Sequence, residues 1–402
     1  MVNDQRNKLA ATSGMLYIVM RRATAVFGAE LMFVIVTRCL VLMVFLGVAV
    51  GSFAQDATGD MPESSCTLAE QIISSNTGEK VGDCPILEGM EVFQMREDIV
   101  LSETLPTITS NFIIDGNGHT INGNHEFRIF EVIGGSLTVS NLHMLDGRAG
   151  LGSAIFADRG ATVYLESSTV NRCVATYSGA IFARYSQLFV NSSEFSHNVA
   201  DQGAAIYSPA STIQVTRSRF EGNGSRVGGA IYHYRGRGTI TSSEFHNNSA
   251  SEEGGAVVNA HGALQVRDSL FSQNAASAGG AIYSHGYDSL LTVAHSRFMS
   301  NESSGIGGAV FANSDDVLIS DSAFESNSAG TAGGAIFAKR GALLLGFSSL
   351  RNNSARVGSG VYTEGGSVVI IDTAITDVNA KDAETLIRLA ESDVRFLDIR
   401  ET

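Results

Sequence analysis

The side chains best suited to chemistry recur at a fixed interval along this chain. Tyr234, His261 and His285 follow successive copies of a short repeat, four or five positions after its central residue. Stacked repeats would bring these rings together on one face. Solvated turn residues without any function would be brought together by stacking in the same way, and this is the alternative interpretation. Imidazole is the usual general base and metal ligand near neutral pH, so the group raises the question of catalysis.

Other signs of catalysis are sparse in the sequence. Glycan hydrolysis needs paired carboxylates in a cleft, and Asp315-Asp316 is the best acidic pair, in a predicted loop. Elimination on uronates needs a basic residue beside cation-binding carboxylates, yet Lys339 is the only lysine between residues 134 and 379. Cysteine and histidine spacings match no metal motif. We therefore expect no metal and no cofactor, and a protein without catalysis is favoured.

A second row of charges has the same spacing as the rings. Glu194, Arg219 and Glu244 occupy equivalent positions in three successive repeats. Opposite charges on neighbouring coils would pair across an exposed surface, where each pair stabilises a fold very little. We interpret this row as surface ion pairs rather than as a site.

The charge balance excludes a class of partner. The 402 residues carry a formal net charge of −14, and beyond residue 54 a charge of −17 remains, from 22 basic and 39 acidic side chains. Phosphate would be repelled by such a surface, so we expect no nucleic-acid partner.

The N-terminal segment has the pattern of a secretion signal. Cys39–Val50 is a twelve-residue apolar run preceded by a basic residue, and small residues precede a cleavage point after Ala54. Residues 1–54 are predicted to be a signal peptide, with true translation starts at Met20 or Met32 as alternatives. A membrane anchor is the competing interpretation, although the run is shorter than the ~20 residues needed to span. The protein is therefore expected to be secreted or on the cell surface, without an integral membrane segment after cleavage.

Export places the cysteines in an oxidising compartment. Cys66 and Cys84 enclose 17 residues and are predicted to form a disulfide. Between them, Thr67 and Glu70 have the spacing of a capping box at the start of a short apolar stripe. We predict a helix over about Leu68–Ser75 that covers the first coil of the domain.

An internal repeat dominates the rest of the sequence. A small-small-Ala-Ile/Val-aromatic phrase returns at intervals of 25 to 28 residues. Its central residues are Ala154, Ala180, Ala205, Ala230, Ala256, Ala281, Ala309, Ala335 and Gly360. Apolar pairs follow eight and ten positions later, as Leu188 and Val190 do, and then comes an apolar residue with asparagine three positions on.

Three short apolar segments in each repeat, separated by Gly, Ser and Asn, are typical of a coil with three strands. Equivalent strands then pair in parallel between successive coils. The sequence thus predicts an all-β fold: a right-handed parallel β-helix, a pectate-lyase-like solenoid of about 10–12 coils. Residues 55–110 would form the N-terminal cap and first strands, and residues 111–402 the solenoid, ending mid-coil.

The asparagine of the third phrase forms a column. An amide can pair with the same residue one coil above and below, and asparagine tolerates the left-handed turn conformation, so we predict an internal ladder at a corner. Cys173 occupies the asparagine position of the first repeat, which indicates a buried, unreactive thiol. The predicted ladder consists of Asn198, Asn223, Asn248, Asn274, Asn301, Asn327 and Asn353.

The alternating GGA-Ile/Val/Leu and Phe-x-x-Asn phrases, from Gly152 to Tyr362, resemble the repeats of the polymorphic outer membrane proteins. This resemblance implies a β-helix displayed at a bacterial outer membrane. Pectate lyases, polygalacturonases and alginate epimerases share the β-helix, so the fold alone does not decide the function.

One further column suggests a binding surface. The residue after each Ile or Val is mostly aromatic and points away from it, so the aliphatic row is expected inside and the aromatic row outside. Aromatic shielding of the sheet is the structural alternative. The predicted ligand-binding residues in this row are Tyr207, Tyr232, Tyr283, Phe311 and Phe337.

These patterns leave two functions open. The favoured one is a non-enzymatic adhesin or envelope structural protein, whose partner would be a glycan or protein on a host or neighbouring cell. The alternative is a carbohydrate-active enzyme, a polysaccharide lyase or epimerase on the same fold.

Overall fold

The computed structural model describes residues 66–87, 89, 91–376, 387–390 and 393–397. They form an all-β, right-handed parallel β-helix of about 11 turns with one short helix at its N-terminal end, which confirms the predicted fold. The predicted signal peptide, residues 1–54, lies outside the described residues. Within those residues, no helix combines the length and the apolar character that crossing a bilayer requires.

The helix spans Leu68–Thr77, two residues longer than predicted. Thr67 caps it: the threonine Oγ1 accepts a hydrogen bond from the Glu70 N–H, and the Glu70 carboxylate accepts one from the Thr67 N–H. Gly78, at φ 70°, ends the helix in the left-handed conformation. Ile72 is buried against the first coils, so the helix covers one end of the core.

Two contacts hold this helix in place. Cys66 and Cys84 are joined by a disulfide, with their Cα atoms 4.6 Å apart. Asn76 donates to the Thr107 carbonyl at 2.7 Å and accepts from the Thr109 N–H at 2.9 Å. The helix is thus tied to the loop after it and to the first coil.

The largest sheet, here called the broad sheet, has 22 parallel strands. Most coils contribute two strands to it, and equivalent strands of successive coils lie side by side. The first file of strands comprises Phe130–Ile133, Ile155–Asp158, Ile181–Ala183, Ile206–Pro209, Ile231–Tyr234, Val257–Ala260, Ile336–Lys339, Val361–Glu364 and Ile387–Ala390. The second file comprises Phe93–Gln94, Asn111–Asp115, Ser136–Ser140, Thr162–Glu166, Gln187–Asn191, Thr212–Thr216, Arg237–Thr241, Ala263–Arg267, Ala342–Gly346, Ser367–Ile371 and Asp393–Leu397.

Two long strands, Ile282–Ala294 and Val310–Ser320, run through both files without a break. The predicted loop around Asp315 and Asp316 is therefore wrong, because both residues lie within the second of these strands.

A narrow sheet of 12 strands contributes one strand per coil. Its strands are Ile99–Val100, Thr120–Asn122, His143–Leu145, Thr169–Asn171, Glu194–Ser196, Arg219–Glu221, Glu244–His246, Leu270–Ser272, Arg297–Met299, Ala323–Glu325, Ser349–Arg351 and Ala374–Thr376.

A third set of strands, here called the third sheet, follows the narrow sheet in each coil. It forms a two-stranded and a five-stranded part, and single bridges such as Val174↔Val199 and Val199↔Gly224 connect coils between them. Its strands are Arg148–Leu151, Val174–Ser178, Gly224–Val227, Ser249–Glu253, Ala275–Ala278, Glu302–Ile306 and Ser328–Ala329.

The core consists of side-chain columns that run along the solenoid. Buried Ile and Val from the first file, Leu, Ile and Val from the second, and Phe from the narrow sheet form one continuous cluster. From Phe195 to Phe324 the phenylalanine rings of successive coils stack with centroids 4.7–4.9 Å apart, which is the spacing of neighbouring strands.

The asparagine column lies at the corner between the narrow and third sheets. The Asn198 side-chain N–H donates to Asn223 Oδ1 at 2.9 Å, and Asn223 donates in turn to Asn248 at the same distance. Each amide also donates to a carbonyl in the preceding coil: Asn198 to that of Val170, and the later members to that of a phenylalanine, as Asn248 does to Phe220 at 3.0 Å. The same pattern continues without interruption to Asn353.

The left-handed conformation was expected at these asparagines, and that expectation is wrong. Positive φ falls on the residue before each of them, for example His197 at 55°, Asn247 at 52° and Ser300 at 53°. The ladder asparagines are needed for their buried amides, whereas the preceding residue makes the turn.

Cys173 lies at the predicted place in this column. It is fully buried, and its N–H donates to Asn198 Oδ1 at 3.0 Å. Burial raises the pKa of its thiol to about 12, so the thiol stays protonated at neutral pH and is a poor nucleophile.

A second ladder, which sequence reasoning missed, lies at the corner between the broad and narrow sheets. The Ser193 N–H donates to Ser218 Oγ at 3.1 Å, and the Ser218 hydroxyl donates to the Thr216 carbonyl at 2.8 Å. The available signal was a serine two positions before each phenylalanine of the Phe-x-x-Asn phrase. This ladder consists of Ser168, Ser193, Ser218, Ser243, Ser269, Ser296, Ser322 and Ser348.

The second glycine of the GGA phrase is required by close approach of neighbouring coils. A Cβ atom on Gly280 would lie 2.2 Å from the Gly308 carbonyl oxygen, and one on Gly308 would lie 2.0 Å from that of Gly334. Any larger side chain would push adjacent coils apart.

Candidate functional site

The aromatic column lies on the outer side of the first file of strands. Tyr207 pairs with Tyr232, Tyr283 pairs with Phe311, and Phe311 pairs in turn with Phe337. The neighbouring rings stack, with centroids 5.0 Å apart for Tyr207 and Tyr232 and 4.7 Å for Tyr283 and Phe311. The preceding Ile and Val residues point into the core, as strand alternation predicts.

The expectation that this whole column is open to a ligand is wrong at its C-terminal part. Phe311 and Phe337 are only 4% and 5% exposed, because Ile306, Ala332 and Val357 pack over them. These three residues belong to segments just before the GGA phrases. These two phenylalanines therefore shield the sheet, whereas Tyr207, Tyr232 and Tyr283 are half-exposed.

Val258 interrupts the column between Tyr232 and Tyr283, and Ala260 interrupts the next outward-facing row between Tyr234 and His285. Val258 and Ala260 are buried at the positions where the coils on either side carry rings. Tyrosine and histidine side chains surround this interruption, and we name the group the tyrosine–histidine cluster. It consists of Tyr207, Tyr232, Tyr234, His261, Tyr283 and His285, all half-buried.

Tyr207 and Tyr232 stack, whereas the rings around the two histidines meet edge to face. The Tyr234 and His261 centroids lie 6.0 Å apart, those of His261 and His285 5.7 Å, and those of Tyr283 and His285 5.3 Å. The structure thus brings together Tyr234, His261 and His285, the three residues that the repeat spacing singled out. Arg235 adds a guanidinium 5.1 Å from the centre of the Tyr234 ring.

The longest repeat places its extra residues beside this cluster. Gly286, at φ 123°, runs so close to His261 that a Cβ atom there would lie 2.6 Å from Nδ1 of the imidazole. Tyr287 comes next and is 78% exposed. The insertion therefore packs on one ring of the cluster and presents another to solvent.

Burial sets the protonation of the cluster. It lowers the pKa of His285, with a smaller contribution from the neighbouring His261, so His285 is neutral at pH 7. It also raises the pKa of Tyr232 to about 12 and that of Tyr283 further. Tyr283 donates a hydrogen bond to Glu253, whose own pKa is raised by burial. The cluster therefore presents aromatic rings with hydroxyl and imidazole groups at their edges.

Such a surface can contact an apolar face and satisfy polar groups around it. Among the described residues, no group of three or more His, Cys, Asp or Glu side chains is placed to hold a metal ion.

Two of the three charged residues predicted to pair across coils, Arg219 and Glu244, form an ion pair. Arg219 contacts Glu244 at 2.9 Å and Glu221 at 2.9 Å, all on the outer side of the narrow sheet. These side chains are largely solvated, as expected for surface ion pairs.

The comparisons with known proteins agree with the architecture. Residues 203–375, which include nearly all of the residues just described, match the family model for a right-handed β-helix region. No curated protein and no solved structure matches the chain. The class of protein is thus a right-handed parallel β-helix with an aromatic and imidazole cluster on its broad sheet.

Proposed function

We propose that this protein is a non-enzymatic β-helix of the polymorphic outer membrane type. It acts outside the cell as an adhesin or envelope component and binds a glycan or protein of a host or neighbouring cell. The tyrosine–histidine cluster is the observation that carries the proposal.

The composition of the cluster supports recognition of another molecule. Its rings are half-buried and held by contacts between coils, so little side-chain entropy is lost when a ligand covers them. Tyrosine hydroxyls and imidazole nitrogens at the ring edges supply hydrogen bonds that fix a ligand's orientation. Rigid aromatic anchors of this kind are typical of binding surfaces.

Export is supported by separate observations. The disulfide between Cys66 and Cys84 ties the helix to the loop after it, and such bonds persist in oxidising compartments. The apolar run Cys39–Val50 has the character of a secretion signal. The GGA and Phe-x-x-Asn phrases support display at an outer membrane by resemblance.

A glycan array and a cell-binding assay test this proposal. Tyr232→Ala and Tyr283→Ala should each weaken binding of the purified protein about tenfold or more, which corresponds to ~1.4 kcal/mol. The matched control is Tyr164→Ala, because Tyr164 also lies on the outer face of the broad sheet and stacks on Phe189 at 4.8 Å, but in the second file.

Circular dichroism of each variant separates lost binding from lost folding. Wild-type protein that binds no glycan and no cell would overturn the adhesive function. Binding that Tyr164→Ala weakens as much as the cluster variants would instead move the function away from the cluster.

One observation favours the second candidate, a carbohydrate-active enzyme. His285 is a half-buried imidazole kept neutral near pH 7, which is the state that a general base needs. Reducing-sugar and unsaturated-product assays on uronate and neutral glycans test it. Turnover that disappears in His285→Gln would replace the adhesin proposal, whereas wild-type protein without turnover would retire the enzyme.

A further inference from the structure

A groove with a different lining lies at the corner between the broad and narrow sheets. It has a volume of about 390 Å³ and is open to solvent along one side. The rest of the lining is serine and alanine, and its larger residues are His295, Arg297, Asp321, Phe347 and Asp372. The groove shares no residue with the tyrosine–histidine cluster, so binding at the two sites can be tested separately.

Four of these residues occupy the same turn position in successive coils. The His295 N–H donates to the Ser320 carbonyl at 3.2 Å, the Asp321 N–H to Gly346 at 3.1 Å, and the Phe347 N–H to Ile371 at 2.9 Å. Stacked turns are separated by roughly 4.8 Å, the spacing of neighbouring strands. Asp321 and Asp372 therefore lie one coil on either side of Phe347.

Phe347 is an unusual residue for this position. Its φ is 50°, in the left-handed region that disfavours bulky side chains, and its side chain is 52% exposed. In the described coils from Ser167 onward, the other left-handed residues of this turn are polar. They are Ser167, Ser192, Arg217, Ser242, Asp268, His295, Asp321 and Asp372.

Folding gains little from this phenylalanine. Its backbone conformation costs energy, and the half-exposed ring recovers only part of the free energy that burial would supply. Residues in strained backbone conformations are concentrated at active sites and ligand clamps. The ring is placed where a bound molecule, rather than the core, would cover it.

We propose that this groove binds a neutral saccharide. One C–H face of a sugar ring stacks on Phe347, which supplies apolar area without a net charge. The carboxylates of Asp321 and Asp372 accept hydrogen bonds from sugar hydroxyls on either side. Arg297 donates to ring or hydroxyl oxygens through its planar guanidinium.

The charges of the lining select this ligand class over two others. Two carboxylates beside the ring disfavour uronates and other anionic sugars, and the whole surface is acidic. The guanidinium of Arg297 in the lining disfavours a cationic peptide. A volume of 390 Å³ lies within the range of small-ligand sites, which is about 300–1,000 Å³.

Saturation-transfer NMR with lactose, cellobiose and tri-galacturonate tests the proposal on the full chain. Transfer is expected from the wild-type protein to the C–H protons of lactose or cellobiose, and not to tri-galacturonate. Phe347→Asn should weaken the affinity for the bound neutral sugar at least tenfold. Asparagine tolerates the left-handed conformation, so this variant should unfold at the same temperature as the wild type or higher.

Two further variants complete the test. Phe347→Tyr keeps an aromatic face and should retain binding within about threefold. Asp268→Asn changes a residue of the same turn position that does not line the groove, and should leave binding unchanged. Absence of transfer to both neutral sugars, stronger transfer to tri-galacturonate, or undiminished affinity in Phe347→Asn would each overturn the assignment.

Discussion

At the scale of single residues, the most exceptional side chain is a histidine inside the solenoid. His233 is fully buried, and its Nδ1 lies 2.9 Å from the Ser208 hydroxyl oxygen. Glycines make room for the ring: a Cβ atom on Gly236 would lie 2.8 Å from Cε1, and one on Gly262 would lie 3.1 Å from Cδ2. Burial lowers the pKa of His233 from 6.5 to about 4, so the imidazole is neutral at pH 7.

This lowered pKa predicts destabilisation in mild acid. The unfolded chain takes up a proton at His233 near pH 6.5, whereas the folded chain does so only near pH 4. The contribution of His233 to stability is therefore complete above pH 6.5 and is lost as the pH falls towards 4. By linkage the loss is roughly 3 kcal/mol. Urea unfolding of the wild type and of His233→Ser at several pH values between 7.5 and 4.5 measures this loss. The unfolding free energy should fall more steeply with decreasing pH in the wild type than in the variant.

The control for this prediction is an exposed histidine. His197→Asn replaces a solvent-facing turn residue at φ 55° by one that accepts the same conformation. It should keep the acid sensitivity of the wild type. A wild type whose unfolding free energy follows the same pH curve as His233→Ser would contradict the assignment.

At the scale of elements, the asparagine ladder carries the corner between the narrow and third sheets. Every link points the same way, from the amide N–H of one coil to the Oδ1 of the next. Asn248 also accepts the Asn223 backbone N–H at 3.1 Å. One such side chain therefore satisfies several buried polar groups at once.

Removing one member should have a large effect on stability. Asn248→Ala removes three hydrogen bonds: those that its Oδ1 accepts from one amide N–H and from the backbone N–H of Asn223, and the one that its amide donates to the Phe220 carbonyl. Buried groups left without a partner cost about 1–3 kcal/mol each, so we expect a loss of roughly 3 kcal/mol or more. Chemical denaturation monitored by circular dichroism measures the change.

The adjacent asparagine is the matched control. Asn247 is exposed and adopts φ 52°, a conformation that glycine accepts freely, so Asn247→Gly should change the unfolding free energy by less than about 0.5 kcal/mol. If Asn248→Ala and Asn247→Gly lowered the unfolding free energy equally, the ladder hydrogen bonds would contribute no more to stability than an ordinary turn residue does.

The elements that repeat in sequence were the ones that could be predicted from it. Ile206, Val215 and Phe220 mark the three strands of a coil because their apolar rows return at each period. The third sheet was missed, since Val227, Ile306 and Val357 stand in segments of varied composition. Those segments cover Phe311 and Phe337, so the exposure of the aromatic column could not be foreseen from strand alternation alone.

In the candidate sites too, the features that follow the repeat could be predicted and the others could not. A spacing of four or five positions after the central residue of the repeat was enough to place Tyr234, His261 and His285 together. The groove at Phe347 could not be predicted, because a single aromatic residue among serines and aspartates produces no periodic signal. Its left-handed φ and its exposure are properties of the folded chain.

At the scale of the whole molecule, the coil is the unit of construction. Residue 198 and residue 223 are equivalent, 25 positions apart, and Val199 bridges to Gly224 directly above it. Each coil contacts mainly its two neighbours, so the stability of such a fold is close to a sum of coil and interface contributions.

Excision of one whole coil should therefore be tolerated. Deleting residues 199–223 joins Asn198 to Gly224 and keeps every later strand in register. We expect a soluble protein with a β-type far-UV spectrum and cooperative unfolding, at a lower unfolding free energy than the wild type. Deletion of residues 199–211 is the control. It removes only half a coil, so the following residues lose their register and inward-facing side chains turn outward, which should give insoluble protein. Equal solubility of both deletions would contradict the coil as the unit.

Because every bond of the asparagine ladder runs in the same direction, a gene for such a chain can lengthen by duplication of a coil. A duplicated coil inserted at any step of the ladder meets a donor on one side and an acceptor on the other, so no mutation is needed to accommodate it. Unequal recombination between repeats can thus add or remove whole coils, and selection can then change the outward-facing residues of a copy while its amide keeps the helix joined.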